Sequence, residues 1–260
     1  MTALGPPALD PASLRRLLSP AEQAVAAAPA VPEPETFECI YIAVDFNPHT
    51  ALHNWAVVSF ATSGDTVKVV GLNSNPTMPV DLARDAVYAH VDALLAQQRF
   101  ANTKIVFLIE ANLGSYPAQF ARLARAKYAA RCDTLLWYTT RHCPWVYVQY
   151  ARYMLAQNRV TIDRNLVACA PPGSDEYEAD LLKGVLWAQL LQLRKGDPVP
   201  MPADDPPPNP IYTVTSGGKD ELANAFLFGL YAIETYANSE QARSPPAAVV
   251  DDTAPQVTLI

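Results

Sequence analysis

The chain has 260 residues, half of them hydrophobic, and a formal net charge of −7. That is enough for one large domain with a sizeable core, and no apolar run approaches the roughly 18–20 uncharged residues of a membrane span. The N-terminal stretch lacks the charged start and long apolar segment of a signal peptide, so a soluble intracellular protein with no membrane partner is expected. Cys39, Cys132, Cys143 and Cys169 show no short CxxC spacing, which disfavours structural zinc or a disulfide framework and favours buried free thiols.

In chain order, residues 1–36 are rich in Ala and Pro and are expected to be a flexible arm, a linker or a docking arm, with a helix within Ser13–Ala28. The run Cys39–Asp45 is apolar, β-branched and aromatic, predicts a buried strand, and ends on an acid. Two more strands, Trp55–Ala61 and Thr66–Leu72, flank the turn signal Thr62-Ser63-Gly64-Asp65. Helical spacing covers Val80–Gln98, with Pro79 at its start. Lys104–Glu110 is a second buried strand ending on an acid. A helix over Ala118–Ala130, a strand over Thr134–Thr139, a helix over Val146–Asn158, a short strand Val160–Ile162 and a helix over Tyr177–Leu193 follow. Seven of the thirteen residues from Pro198 to Pro210 are proline, which predicts an extended loop. Ile211–Val214 is a last strand or its remnant, Lys219–Tyr236 an apolar helix, and residues 238–260 a flexible tail. Three strands followed by alternating helices and strands predict an α/β core over residues 37–237, a mixed sheet with helices on both faces.

Asp45 and Glu110 end the two most apolar strands, where ligands gather in such sheets, and Asp220 opens the last helix after Ser216-Gly217-Gly218. A buried acid is costly unless compensated, and neighbouring acids repel. A pair of Mg²⁺ or Mn²⁺ ions resolves both problems, because hard cations prefer carboxylate oxygens. Two such ions can hold a phosphodiester and activate the attacking water. Each acid also has an ordinary role open to it. Asp45 could begin a turn with Asn47 and Pro48, Glu110 could pair with an arginine, and Asp220 could serve the helix dipole.

These segments resemble the C-terminal nuclease domain of terminase large subunits, particularly the herpesvirus type, with tailed-phage terminases as relatives. The resemblance spans about Tyr41 to Ala237. It rests on Tyr41–Asp45 with Pro48 beyond and Trp55 on the next strand, on Val106–Asn112 with Ser115, on Ser216–Ala223 leading into the helix with Tyr231, and on Tyr153–Val160. It implies an RNase H-like fold and a two-metal endonuclease that cuts concatemeric viral DNA during packaging. Asp45 would bridge both ions, Glu110 and Asp220 would complete the two sites, and Glu221 would support them. It further implies an ATPase motor, a small terminase subunit and the portal as partners, with the host nucleus as location, or the host cytoplasm if the chain is phage-like. The chain departs from the family pattern in Asp220-Glu221 where two aspartates are frequent, in Phe46-Asn47 before Pro48, and in Ala111 where glycine is frequent. It holds no G-x-x-x-x-G-K-[ST] phosphate loop, so the motor would be excised or encoded elsewhere.

Between Arg99 and Arg164 lie ten Lys or Arg against three acids, a net +7, while the remainder, nine against twenty-three, is −14. This asymmetry predicts a basic face for double-stranded DNA. Arg122, Arg125, Lys127, Arg131, Arg141 and Lys219 are the expected phosphate contacts, which position DNA without reading its sequence. His142 reads as structural or surface, His49 and His53 flank the loop after Asp45, and the aromatic segment Trp137–Tyr150 is expected to pack on the sheet. The alternatives are another RNase H-like nuclease (a Holliday-junction resolvase or RNase H) or a non-catalytic RNase H-like docking module.

Overall fold

The computed structural model of the chain describes residues 7–18, 37–46, 54–76, 79–112, 115–138, 145–168, 176–198, 212–215 and 220–239. β1 (Cys39–Asp45), β2 (Asn54–Ser63) and β3 (Thr66–Pro76) form an antiparallel meander. Their Val, Ile, Phe and Trp side chains suit a pleated, packed surface, and Gly64-Asp65 closes the second turn. β4 (Lys104–Glu110) and β5 (Cys132–Trp137) extend the sheet in parallel beyond β1, and β6 (Val160–Ala168) pairs in parallel with β3. The resulting six-stranded order is β5-β4-β1-β2-β3-β6. It is a mixed α/β sheet, as the element order predicted.

Every residue of β1 is buried, which is why its sequence is continuously apolar rather than alternating. Its even-numbered side chains, Ile40, Ile42 and Val44, join Phe107 and Phe120 in a core under α2 (Val80–Leu95) and α3 (Tyr116–Tyr128). Its odd-numbered ones, Tyr41 and Ala43, join Val58, Phe60 and Leu108 in a second core under α4 (Trp145–Ala156), α5 (Glu176–Gln192) and α6 (Glu221–Ala237). Helices therefore cover both faces. Among the described residues no helix is long and apolar enough to cross a membrane.

α6 lies hard against β1 and β2. A Cβ at Gly229 would come within 2.6 Å of the Phe60 ring and 2.9 Å of the Ala43 Cβ. Gly→Ala inside a helix ordinarily stabilises by about 1 kcal/mol, but here overpacking, at about 1–3 kcal/mol, outweighs it. Gly229→Ala is expected to lower the melting temperature by about 2–6 °C, measured by calorimetry; an increase would show that α6 sits less tightly.

In detail the fold adds to and adjusts the sequence reading. Of the two roles open to the N-terminal arm, residues 7–18 take the docking one. Ala8, Leu9, Leu14 and Leu17 are buried in the α4–α6 core, and the Ala8 amide donates to the Leu193 carbonyl at 2.9 Å. Within it α1 spans Pro11–Leu18; the remainder of the helix expected over Ser13–Ala28 lies outside the described residues. Residues 1–6, 19–36 and 240–260, the rest of the expected arm and tail, lie outside the described residues. β7 (Arg194–Pro198) has no counterpart in the prediction, because Arg194-Lys195-Gly196-Asp197-Pro198 lacks any apolar alternation. It pairs with β8 (Tyr212–Thr215), so the expected last strand belongs to a separate two-stranded sheet. β6 runs nine residues rather than three, held in parallel register by β3 despite its polar middle. α2 ends at Leu95, before Gln98, and passes into a 3-10 turn over Gln98–Phe100.

Cys39 and Cys132 are buried free thiols. Cys143, Cys169, and residues 199–211 of the proline-rich loop lie outside the described residues.

Candidate metal centre

Parallel register aligns Val44 of β1 with Ile109 of β4, which brings the next residues, Asp45 and Glu110, side by side at the strand ends. Side-chain alternation turns both toward α6, since Ala43 and Leu108, two residues earlier, belong to the core on that face. Across the sheet this level reads Trp137, Glu110, Asp45, Ala56 and Ser74, from β5 to β3. Asp220 is the residue preceding α6 and Glu221 its first residue, so the start of that helix supplies two further acids.

The electrostatics record the convergence. Burial first, then the charge of Glu110 and a hydrogen bond to it, then the charges of Glu221 and Asp220, hold the Asp45 carboxyl well above the ordinary carboxylate range. Asp45 is 5% exposed and Glu221 1% exposed. The hydrogen bond with Glu110 favours the proton on Asp45, which then donates to Glu110. The charges of both Glu221 and Asp220 raise the Asp45 carboxyl. Asn112 Nδ2 donates to Glu110 Oε1 at 3.1 Å, orienting that carboxylate from just beyond the strand.

The four acids offer only carboxylate oxygens, the donor type of hard divalent cations such as Mg²⁺ and Mn²⁺. A buried aspartate pressed by three neighbouring acids is what such cations relieve, so the residues present fit the group. Among the described residues no three His, Cys, Asp or Glu side chains already stand at mutual ligand spacing. Asp45 and Glu110 touch through a hydrogen bond, and the other two act on Asp45 through charge.

Three of the predicted phosphate contacts also have partners within the fold. Arg131 donates to the Phe100 and Thr103 carbonyls at 3.1 and 2.9 Å. Those residues precede β4, about 20 Å from Glu110 at 3.3 Å per residue, so Arg131 ties down the far end of the sheet. Lys127 pairs with Asp92 at 2.9 Å, and Arg125 donates to the Thr134 carbonyl at 3.2 Å. Arg122 is exposed on α3, with no ion-pair partner among the described residues. Arg99 pairs with Asp163 and Lys104 with Asp133, which consumes further parts of the basic window. Helical spacing alone did not separate exposed arginines from those reaching back to close strand and turn carbonyls. Arg141, Lys219, His49, His53 and His142 lie outside the described residues.

Trp137 and Tyr147 are buried, with Trp137 Nε1 donating to the Tyr147 hydroxyl at 2.7 Å. They pack with Tyr231 of α6, as expected of that aromatic segment, whereas Tyr138 is 46% exposed. One residue the sequence reading passed over is Gln189 of α5, whose Oε1 accepts the Ala223 amide of α6 at 3.0 Å. Its position on the buried stripe with Leu186, Leu190 and Leu193 was the available signal.

No family model and no curated protein matches the sequence. Among solved structures, the human cytomegalovirus terminase nuclease domain, Mn-soaked and inhibitor-bound, is similar at a TM-score of 0.60 and 10% identity, over 91% of this chain and 97% of that one. The same domain without those additions gives 0.56, and its Mn-soaked form 0.55, each at 10% identity over 90% of this chain and 96% of that one. Over nine-tenths of its length, this chain has the RNase H-like fold of the cytomegalovirus terminase nuclease domain.

Proposed function

We propose that the chain is a metal-dependent DNA endonuclease that cuts concatemeric viral DNA for packaging. The observation behind this reading is the convergence of Glu110, Glu221 and Asp220 on the buried Asp45, from three separate chain segments, at the carboxyl ends of two central strands. Asp45 would serve both cations, with Glu110 completing one site and Asp220 and Glu221 the other. Two bound Mg²⁺ or Mn²⁺ ions supply Lewis-acid neutralisation of the phosphodiester and a water acidic enough to act as nucleophile. Asn112 Nδ2 donates to the Glu110 carboxylate and would help to orient it. Exposed Arg122, with Arg141 and Lys219, would contact DNA phosphates. Neighbours solved with Mn support the choice of cation. An ATPase motor, a small terminase subunit and the portal are the proposed partners, in the host nucleus.

The test is cleavage of supercoiled plasmid with Mn²⁺ or Mg²⁺, comparing the native chain with Glu110→Gln. Linearisation by the native chain, at least about a hundredfold slower in the variant, is expected, with complete inhibition by EDTA. Equal cleavage by both would remove Glu110 from the site. Preference for branched DNA or an RNA–DNA hybrid over linear duplex would move the reading to a resolvase or RNase H, and Mn²⁺ failing to bind the folded chain to a docking module.

A further inference from the structure

The first turn of a helix exposes amides with no partner inside the helix, and an aspartate at the N-cap ordinarily takes the amide three residues on. The chain contains this arrangement in α1. Asp10 Oδ2 accepts the Ser13 amide at 2.9 Å, and Asp10 Oδ1 accepts the Ala12 amide at 3.3 Å. α6 has an aspartate in the same position and does otherwise. Asp220 is its N-cap, its carbonyl accepts the Asn224 amide at 2.7 Å, and its side chain makes no capping bond. The amide three residues on, Ala223, is taken by Gln189 Oε1 from α5. Gln189 is 6% exposed among leucines, a costly place for an amide without such a bond.

We propose that Gln189 is a positioning residue that caps α6 in place of Asp220 and so keeps the Asp220 carboxylate turned to the acidic cluster. An aspartate folded back on its own helix would commit its lone pairs to amides. With the cap supplied from α5, the helix start is satisfied and the Asp220 charge bears on Asp45. The same bond locks α5 to the end of α6 that bears Glu221. The consequence for cation binding rests on the metal reading above; the capping assignment does not.

A double-mutant cycle tests it in the full chain, with Gln189→Met (similar size, no acceptor) and Asp220→Ala, melted in EDTA. In the native background Asp220→Ala is expected to leave the melting temperature unchanged or raise it, since it removes a charge from the cluster. In the Gln189→Met background Asp220 takes over the cap, and its removal should lower the melting temperature by about 2–4 °C. Gln189→Met should also speed hydrogen exchange at the Ala223 amide and weaken Mn²⁺ binding, by calorimetry, about tenfold or more. Gln189→Glu, which keeps an acceptor oxygen, should retain slow exchange there. Equal effects of Asp220→Ala in both backgrounds, or unchanged Ala223 exchange in Gln189→Met, would overturn the assignment. Coupling in the cycle with no Mn²⁺ binding to the native chain would uphold the cap and sink the metal reading instead.

Discussion

Asp45→Asn is expected to abolish metal-stimulated DNA cleavage while making the metal-free protein more stable at neutral pH. The side chain is buried among three other acids, and its proton is held well above the ordinary carboxylate range. A raised carboxyl pKa contributes stability that is present in full below the unfolded value of 3.8 and lost as pH rises through the folded one. At neutral and higher pH the native chain therefore bears this cost, and asparagine, similar in shape and able to donate to Glu110, does not. A relief of about 1 kcal/mol corresponds to about 2–4 °C in a domain of this size. Cations compete with the same proton, so Mn²⁺ should stabilise the native chain more at pH 8 than at pH 6. Asp45→Asn should lose that stabilisation and about a thousandfold or more in cleavage rate, since loss of an outer partner alone costs about ten- to a hundredfold. Thermal melts with and without Mn²⁺ at both pH values check this. A variant less stable than native in EDTA, yet still stabilised by Mn²⁺, would mean that Asp45 is a structural acid.

His90 of α2 should govern the acid limb of stability. Its ring is fully buried over Gly71, where a Cβ would come within 2.7 Å, and its Nε2 lies 2.8 Å from Ser59 Oγ. Its Nδ1 has no hydrogen-bond partner among the described residues. Burial alone pushes its pKa down from 6.5 to about 4. A lowered histidine pKa contributes stability that is present above 6.5 and lost as pH falls toward 4. At about 1.4 kcal/mol for each pH unit, the whole loss is about 3 kcal/mol. His90→Gln, which can still reach Ser59, should flatten the native-minus-variant stability difference between pH 7 and pH 4, read by urea denaturation. Asp45 changes in the opposite sense over part of that range, but it lies on the other face of the sheet, so the difference between the two chains isolates His90. A difference independent of pH would show that the imidazole titrates normally in the fold.

Much of the fold was legible because its signals are local. Buried central strands must be continuously apolar, and β1 and β4 are; the two acids ending them broke that pattern visibly. α6 announced itself by its apolar length, and Asp220 and Glu221 by standing at its start. β7 was not legible, because its partner β8 and the bridge from Pro7 to Arg194 create the strand where its own residues show no preference for one. The partners of the basic window were not legible for a related reason. Sequence shows how many arginines a segment holds, but whether each faces solvent or reaches a carbonyl is decided by the surrounding backbone, as with Arg131 and the Phe100 and Thr103 carbonyls.

The primary structure by itself determined which acids end buried strands or begin an apolar helix, since burial and periodicity are written residue by residue. Only the tertiary structure decided that Asp45 and Glu110 lie side by side, that the charges of Glu221 and Asp220 reach Asp45, and that a glutamine from another helix accepts an amide of the first turn of α6. Strand register, helix placement and charge at a distance depend on segments far apart in the chain, and no local pattern encodes the distance between them.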